Sequence, residues 1–370
     1  MPAVIPAPQR ILIVNPFGIG DVLFTTPLVR ALRTAFPLAR LIYLCNRRTE
    51  EIVRRNPHLS GWIVFEKDEF WSLWRKRPWQ AVSRFVRLLR RIRRERFDWV
   101  ADLSLGDRYS FFLKLLGVPV RIGFRFRHRG RYLTHGLPIS GYEGRHVVAY
   151  YRELLEFIGL ALDEQGLELI LSEDDRAMAE ATWQRLQLTG EAPIVGIIPA
   201  GGVSWGVDAH FRRWPLERFA AVAQALQERH NVRILIFGEA SDRALCQQMA
   251  QAMRGAVVDL SGQTTLGQLL GLIAKCDLIL ANDGGALHMA VSQQVPSVAV
   301  YGPVDQRVYG PYGNSARHRV ISRQLTCQPC YHYFRMPACP YDTACLKGLP
   351  TAFVLEAADE LLRERVASAL

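Results

Sequence analysis

The chain alternates short, almost uninterrupted apolar runs with longer stretches in which apolar positions recur every three or four residues. Runs such as Arg10-Ile11-Leu12-Ile13-Val14, Leu41-Ile42-Tyr43-Leu44-Cys45 and Leu278-Ile279-Leu280-Ala281 suit strands covered on both faces, and the periodic stretches suit the helices that cover them. In the first half the pattern predicts strands at 10–15, 40–45, 61–65, 97–103 and 120–124, with helices at 21–35, 48–55, 79–95 and 108–116. An irregular Gly- and Arg-rich stretch, 123–145, then precedes a helix at 146–158. The second half restarts the alternation, with strands at 193–199, 232–238, 256–260, 277–282 and 296–301 and helices at 215–229, 241–253, 265–275 and 285–293. Such alternation implies parallel sheets with right-handed crossovers, so the fold class is α/β with two doubly wound, Rossmann-like domains. The composition changes over 164–172, which separates an N-terminal domain, 1–168, from a C-terminal one, 169–350, with a Cys-rich loop at 322–350. The last segment, 351–370, carries an amphipathic helix expected to pack back across the domains.

Two corners stand out where a strand pattern stops and a helix pattern starts. In the first, Asp283-Gly284-Gly285-Ala286-Leu287-His288 follows the run that ends at Asn282. Asp283 can cap the new helix, the glycines admit a ligand close to the backbone, and the unpaired N–H groups of the first turn favour an anion. His288 lies about one turn further in and reaches the same ligand, although a purely structural turn would read the same way. In the second corner, Asn15-Pro16-Phe17-Gly18-Ile19-Gly20-Asp21 opens the chain. Gly18 and Gly20 have the spacing that begins a dinucleotide fingerprint, but Leu23 stands where its third glycine belongs and no acidic residue ends the strand at 41–45, which disfavours a dehydrogenase. Asp21 then reads either as a helix cap or as a base at the crevice beyond the strand ends.

Ligands of open α/β sheets bind outside the carboxyl ends of the strands, and both corners are expected to face a cleft between the domains. A third segment adds to this picture: Pro199-Ala200-Gly201-Gly202-Val203-Ser204 follows a strand and leads to Arg212-Arg213-Trp214-Pro215. Glycines Gly201 and Gly202 with Ser204 and fixed positive charge at Arg212 suit a diphosphate. Glu239, just past the strand at 232–238, reads as a ribose ligand or as a surface helix start.

Charge adds a partner surface. The net charge is +11, yet 71–135 alone holds 17 Lys or Arg against 4 Asp or Glu, so the basic surface belongs to the first half. Seven arginines between Arg84 and Arg96 alternate with Phe85, Val86, Leu88, Leu89 and Ile92, giving a helix apolar on one face and cationic on the rest. Its outer face is either simply solvated or drawn to an anionic membrane, at ~1 kcal/mol per basic residue close to the surface. Arg125 and Arg127, in the run from Arg125 to Arg131, suit phosphates on an acceptor. A nucleic-acid partner would use the same charge but has no motif in its support. No segment approaches the ~18 apolar residues of a membrane span and 1–8 is not a secretory signal, which predicts a cytoplasmic protein.

In order and spacing, Gly18-Ile19-Gly20-Asp21-Val22-Leu23 with Thr26-Pro27, Arg212-Arg213-Trp214-Pro215, and Asp283-Gly284-Gly285-Ala286-Leu287-His288 resemble glycosyltransferase family 9, the ADP-heptose:lipopolysaccharide heptosyltransferases. The resemblance implies a GT-B fold, with two Rossmann-like domains facing a central cleft, and inversion at the anomeric carbon without a catalytic metal. It implies a nucleotide sugar, ADP-heptose, held mainly by the C-terminal domain, and an anionic glycolipid acceptor held by the N-terminal domain at the cytoplasmic face of the inner membrane. Carried over by position, Asp21 is the general base, Arg212 contacts the diphosphate, and Asp283 to His288 form the donor-phosphate corner. The family usually has Lys where Arg212 stands, and Gly206 to His210 is a longer insertion here, which leaves sugar and nucleotide open. Another GT-B enzyme on the same donor corner, such as a protein heptosyltransferase, an epimerase or a transferase of a different sugar, is the alternative, and a non-catalytic nucleic-acid or membrane-binding protein the third reading.

Of seven cysteines, Cys45, Cys246 and Cys276 fall in predicted strands or helices and read as buried apolar residues. Cys327, Cys330, Cys339 and Cys345 crowd into 19 positions. In a cytoplasmic protein this spacing suits a four-thiolate structural zinc or iron site, with free thiols as the alternative.

Overall fold

A computed structural model describes residues 5–201 and 203–369, without the side chains of Val203, Ser204, Val207, Ser315 and 366–369. The chain divides into two compact units, Met1–Gln165 and Gly166–Leu370. The division falls inside the stretch where the composition changes.

The first unit runs β1 (Arg10–Val14), α1 (Ile19–Phe24), α2 (Thr26–Ala35), β2 (Arg40–Cys45), α3 (Glu50–Arg54), β3 (Gly61–Val64), α4 (Lys67–Lys76), α5 (Pro78–Glu95), β4 (Trp99–Asp102), α6 (Asp107–Leu115), β5 (Val120–Phe126), β6 (His135–Ile139) and α7 (Val147–Phe157). Its six strands pair in parallel in the order β3-β2-β1-β4-β5-β6. Leu12, Val14, Ile42, Leu44, Val100, Phe97 and Leu113 form its core on one face, as strands buried on both sides require.

The expected helix at 21–35 is two helices that meet at Thr25. Pro27 has no N–H to return to the Leu23 carbonyl, and the Thr26 hydroxyl donates to it instead, 2.7 Å. Thr25 likewise donates to the Val22 carbonyl at 2.7 Å and lies 2.8 Å from the buried Tyr43 hydroxyl. The break ends α1 after two turns and sets Asp21 in its first turn. The stretch at 123–145, expected to be irregular, contains β6. It is an edge strand, which tolerates Pro138, and a Cβ on its Gly136 would lie 2.6 Å from the Arg125 side chain, which would have to move aside.

The second unit runs α8 (Glu173–Arg185), β7 (Ile194–Ile198), a 3-10 segment (Val203–Arg212), α9 (Leu216–His230), β8 (Arg233–Ile236), α10 (Arg243–Ala252), β9 (Val257–Asp259), α11 (Leu266–Lys275), β10 (Leu278–Asn282), α12 (Gly285–Ser292), β11 (Ser297–Val300), α13 (Gln306–Tyr309), β12 (His318–Ile321), α14 (Ala344–Lys347) and α15 (Thr351–Ala369). Its parallel order is β12-β11-β10-β7-β8-β9. The terminal helix α15 packs on this unit's own sheet and on α9: Val354, Ala358, Leu361 and Leu362 join Val195, Leu278 and Val298 in one buried cluster. The Asp359 carboxylate accepts from Arg229 and lies 2.8 Å from His230 Nε2, which fixes α15 on the end of α9.

Candidate active site

In a doubly wound sheet the loops diverge where the strand order reverses, and the opening between them is the ligand crevice. In the second unit that reversal lies between β7 and β10. The loops that leave their carboxyl ends carry Pro199 to Gly201 and Asp283 to Gly285, which brings two of the predicted segments together. Asn282 binds them: its Nδ2 donates to the Pro199 carbonyl at 2.6 Å and its Oδ1 accepts from the Trp214 N–H at 2.9 Å. Both pairs are buried, so each is protected from exchange with water.

Asp283 was expected to cap α12, but the residue at the cap is Gly284, with no side-chain cap bond. The Asp283 carboxylate instead lies 2.5 Å from an Arg212 guanidinium nitrogen, both side chains being nearly inaccessible. A carboxylate so deep in the protein needs a charged partner more than the helix needs a cap. The other face of Arg212 is covered by the Trp205 ring, 4.5 Å away, and Trp205 stacks in turn on Tyr331. Arg212 Nε is buried with no hydrogen-bond partner, so the guanidinium keeps donor capacity beyond its ion pair. Gly284, Gly285 and Ala286 at the amino end of α12 are half-buried, whereas His288 in the next turn is buried. A Cβ on Gly201 would make only ordinary contacts, the nearest 3.6 Å from Arg212 Cβ, so this glycine is not sterically required. Gly202 lies outside the described residues, as does the Ser204 side chain. Glu239 is exposed beyond the end of β8 and starts a short 3-10 turn, Ala240–Asp242, where its N–H donates to Asp242.

In the first unit the reversal lies between β1 and β4. The β1 loop carries Gly18, at the amino cap of α1, and Asp21 at its third position. The Asp21 Oδ2 accepts from the Gly18 N–H at 3.1 Å, the reciprocal half of a capping box, and Asn15 Nδ2 donates to the Asp21 carbonyl at 3.1 Å. Gly20 lies within α1. Asp21 is close enough to Tyr43 and Tyr151 for its charge to add to the burial that holds both phenols protonated far above their ordinary range. Arg125 and Arg127 are exposed on β5 and just beyond it, near the same carboxyl edge of the sheet, and Arg127 lies over the Phe126 ring at 5.4 Å.

Residues 85–337 match the family described as Glycosyltransferase family 9 (heptosyltransferase), more than half of the chain. The chain belongs to glycosyltransferase family 9. It is 24% identical to the Escherichia coli (strain K12) protein Lipopolysaccharide heptosyltransferase 2 over 84% of this chain and 87% of that one. A crystal structure of the glycosyl transferase family 9 from Veillonella parvula DSM 2008 superposes with a TM-score of 0.79 at 26% identity, over 96% of this chain and 98% of the other. The structure of E. coli ADP-heptose lps heptosyltransferase II shares the fold with a TM-score of 0.71 at 23% identity, over 96% and 99% of the two chains. The GT-B class is thus established, and the protein is a glycosyltransferase.

A further residue at the family 9 corner of the first unit escaped sequence reading. Asp102 ends β4, opposite Val14 in register, and is buried. Its Oδ1 accepts from the Ser104 hydroxyl at 2.6 Å and from the Ser104 N–H at 3.0 Å, while Oδ2 has no partner. Burial, partly offset by those Ser104 bonds, pushes this carboxyl up to about 6 from an ordinary 3.8. The folded state therefore holds a proton that the unfolded state releases between those two pH values, and stability falls as pH rises through that window. Asp102→Asn keeps the acceptor for Ser104 and removes the titration. Its stability relative to wild type should rise by about 2 kcal/mol between pH 4 and pH 7, read from denaturant unfolding at several pH values; parallel curves would deny Asp102 the proton.

The structure does not support the four-thiolate site. Among the described residues no three His, Cys, Asp or Glu are placed to hold a metal ion. Cys345 turns into the core cluster of the second unit, and the Cys330 thiol donates to the Cys327 carbonyl at 2.9 Å. Burial pushes Cys330 up to about 11 and also raises Cys345, and the charges of neighbouring thiols, Cys327 and Cys339 among them, add to both shifts. The four are free cysteines, as are buried Cys45, Cys246 and Cys276.

Proposed function

We propose that this family 9 enzyme transfers heptose from ADP-heptose to a hydroxyl of a lipopolysaccharide-core-type acceptor, with inversion and without a catalytic metal. The acceptor oxygen forms the new bond to the anomeric carbon as the bond from that carbon to the diphosphate breaks. Asp21 takes the hydroxyl proton, and ADP leaves with the bonding electron pair. Charge developing on the departing diphosphate meets Arg212 and the amino end of α12, fixed before reaction. Gly201, Glu239 and His288 are assigned to the donor, and Gly18, Gly20, Arg125 and Arg127 to the acceptor. The carrying observation is the buried Arg212–Asp283 pair at the strand-order reversal, directly before the amino end of α12. The relatives' names favour heptose and ADP over other nucleotide sugars, and a lipid-linked saccharide acceptor places the enzyme at the cytoplasmic face of the inner membrane. Among the described residues no helix is long and apolar enough to cross a membrane.

The test is a panel of nucleotide sugars, ADP-heptose among them, scored first by the rise in melting temperature and then by mass-detected transfer to heptose-deficient lipopolysaccharide. ADP-heptose should stabilise the protein most and yield the heptosylated product. Stabilisation by a uridine sugar in its place would overturn the donor assignment, and hydrolysis or epimerisation without transfer would overturn the acceptor assignment.

A further inference from the structure

The Cys-rich loop of the second unit, 322–350, is tied to the loop that leaves the carboxyl end of β11. The Cys330 and Tyr331 N–H groups both donate to the Pro303 carbonyl, at 2.8 and 3.0 Å, and Gln328 Nε2 donates to the Gly302 carbonyl at 2.5 Å. Gln328 Oε1 accepts from the Leu325 N–H at 2.7 Å, so one side chain fixes both the turn of the loop and its docking. These bonds hold Tyr331 against Trp205, ring centroids 4.7 Å apart and planes inclined at 31°.

Trp205 is the residue that covers Arg212, its ring centroid 4.5 Å from the guanidinium carbon. Both belong to the 3-10 segment, which breaks between them at Gly206. With φ 56° and ψ −122° that position favours glycine, and the break lets the indole meet a guanidinium seven residues on. A second path returns to the same ion pair. Tyr301, just past β11, lies beside Asp283, whose charge adds to the burial that holds the phenol protonated. Its hydroxyl donates to the Tyr309 carbonyl at 2.8 Å, and the Tyr309 ring lies 6.2 Å from Tyr331. Arg212 and Asp283 are therefore held from the β7, β10 and β11 loops and from the Cys-rich loop at once.

An ion pair alone does not fix the plane of a guanidinium. A ring lying over it does, because the attraction fades once the cation leaves the ring face. Contact with Tyr331 in turn fixes the half-buried indole. We propose that Trp205 and Tyr331 are positioning residues of the donor site: Tyr331 holds the Trp205 ring over Arg212, the ring holds the guanidinium plane where it meets the donor diphosphate, and the Cys-rich loop thereby supports that site. A compact ammonium has no plane to hold, so the stack belongs with Arg at this position. The inference rests on the assignment of Arg212 to the diphosphate.

Calorimetry with ADP on full-length variants tests it, with UDP in its place if the nucleotide-sugar panel selects a uridine donor. Tyr331→Ala should lower affinity about fivefold and Trp205→Ala about tenfold, both folded as judged by melting temperature. Tyr331→Phe should restore affinity to within about twofold of wild type, since the ring and not the hydroxyl makes the contact. In steady state Tyr331→Ala should raise the donor KM and lower kcat together, and leave the acceptor KM unchanged. The same substitution in a chain carrying Arg212→Met and Asp283→Asn should change ADP affinity by less than about twofold, because the guanidinium through which it acts is gone. A loss of equal size in both backgrounds would overturn the proposal. So would a Tyr331→Ala variant that melts early yet binds ADP normally, which would make the stack a fold contact only. If Arg212→Met with Asp283→Asn itself binds ADP as wild type does, the diphosphate role of Arg212 and the positioning roles fall together. If that background loses affinity while Tyr331→Ala and Trp205→Ala bind normally, the positioning roles fall alone.

Discussion

Asp21→Asn is expected to lower turnover at least a hundredfold while leaving the protein folded. General-base assistance contributes roughly 10²–10⁴-fold, and a neutral amide cannot take the proton of the acceptor hydroxyl. The structure makes this substitution clean. Asp21 accepts the Gly18 N–H at the amino end of α1, and the Asn carbonyl oxygen can accept the same bond. What is lost from the fold is the interaction of a full negative charge with the helix end, about 0.3–1 kcal/mol. Asp21→Ala would lose the hydrogen bond as well, so Asn separates chemistry from capping where Ala mixes them. The measurement is kcat with both substrates saturating, set beside the melting temperature and the donor-induced shift. A loss confined to kcat, with donor affinity unchanged, identifies an interaction made with the reacting hydroxyl. Activity retained to within a few-fold would remove Asp21 from the mechanism.

The parts of the fold legible in the sequence were those specified by local pattern. β1 and β10 are almost purely apolar, and their observed ends, Val14 and Asn282, fall within a residue of those expected. The elements that escaped are those whose signal is weak or non-local. β6 contains Gly136 and Pro138, which read as loop unless the strand is known to lie at a sheet edge. α4 carries Phe70, Trp71, Leu73 and Trp74 without burying any of them, so its pattern describes a surface, not a core. In the candidate site the glycines and Asp21 were visible because a strand must turn into a helix there. The partner chosen by Asp283 was not, because Arg212 is 71 residues away and only the pairing of β7 with β10 brings them together. Asp102 stayed hidden for a related reason: a carboxylate at a strand end has no local signature, and burial by the neighbouring strands is the main cause that raises its proton affinity. The cysteine spacing suggested a metal site that the structure does not support, and one of its four thiols, Cys345, belongs to α14, which the core of the second unit draws inward.

The Arg212–Asp283 pair predicts an effect as large as that of Asp21, through two routes that can be separated. Arg212→Ala removes the guanidinium proposed to hold the diphosphate and also leaves the Asp283 carboxylate charged, buried and alone. Breaking a buried pair by deleting one partner costs about 3–5 kcal/mol, so this variant should melt well below wild type whether or not donor is present. Removing both charges, Arg212→Met with Asp283→Asn, relieves that penalty and should recover most of the stability, because the pair itself contributes little net energy once both charges are desolvated. If Arg212 holds the departing diphosphate, the double variant should be folded yet deficient in donor affinity and kcat together, since the guanidinium acts in ground and transition states alike. Arg212→Lys keeps the charge but not the planar fork, and should retain stability better than Ala while losing part of the donor-induced shift. Calorimetry with ADP on the double variant is the deciding measurement: wild-type affinity would confine Arg212 to holding Asp283 in place, and affinity lowered by a factor of ten or more would assign it to the diphosphate.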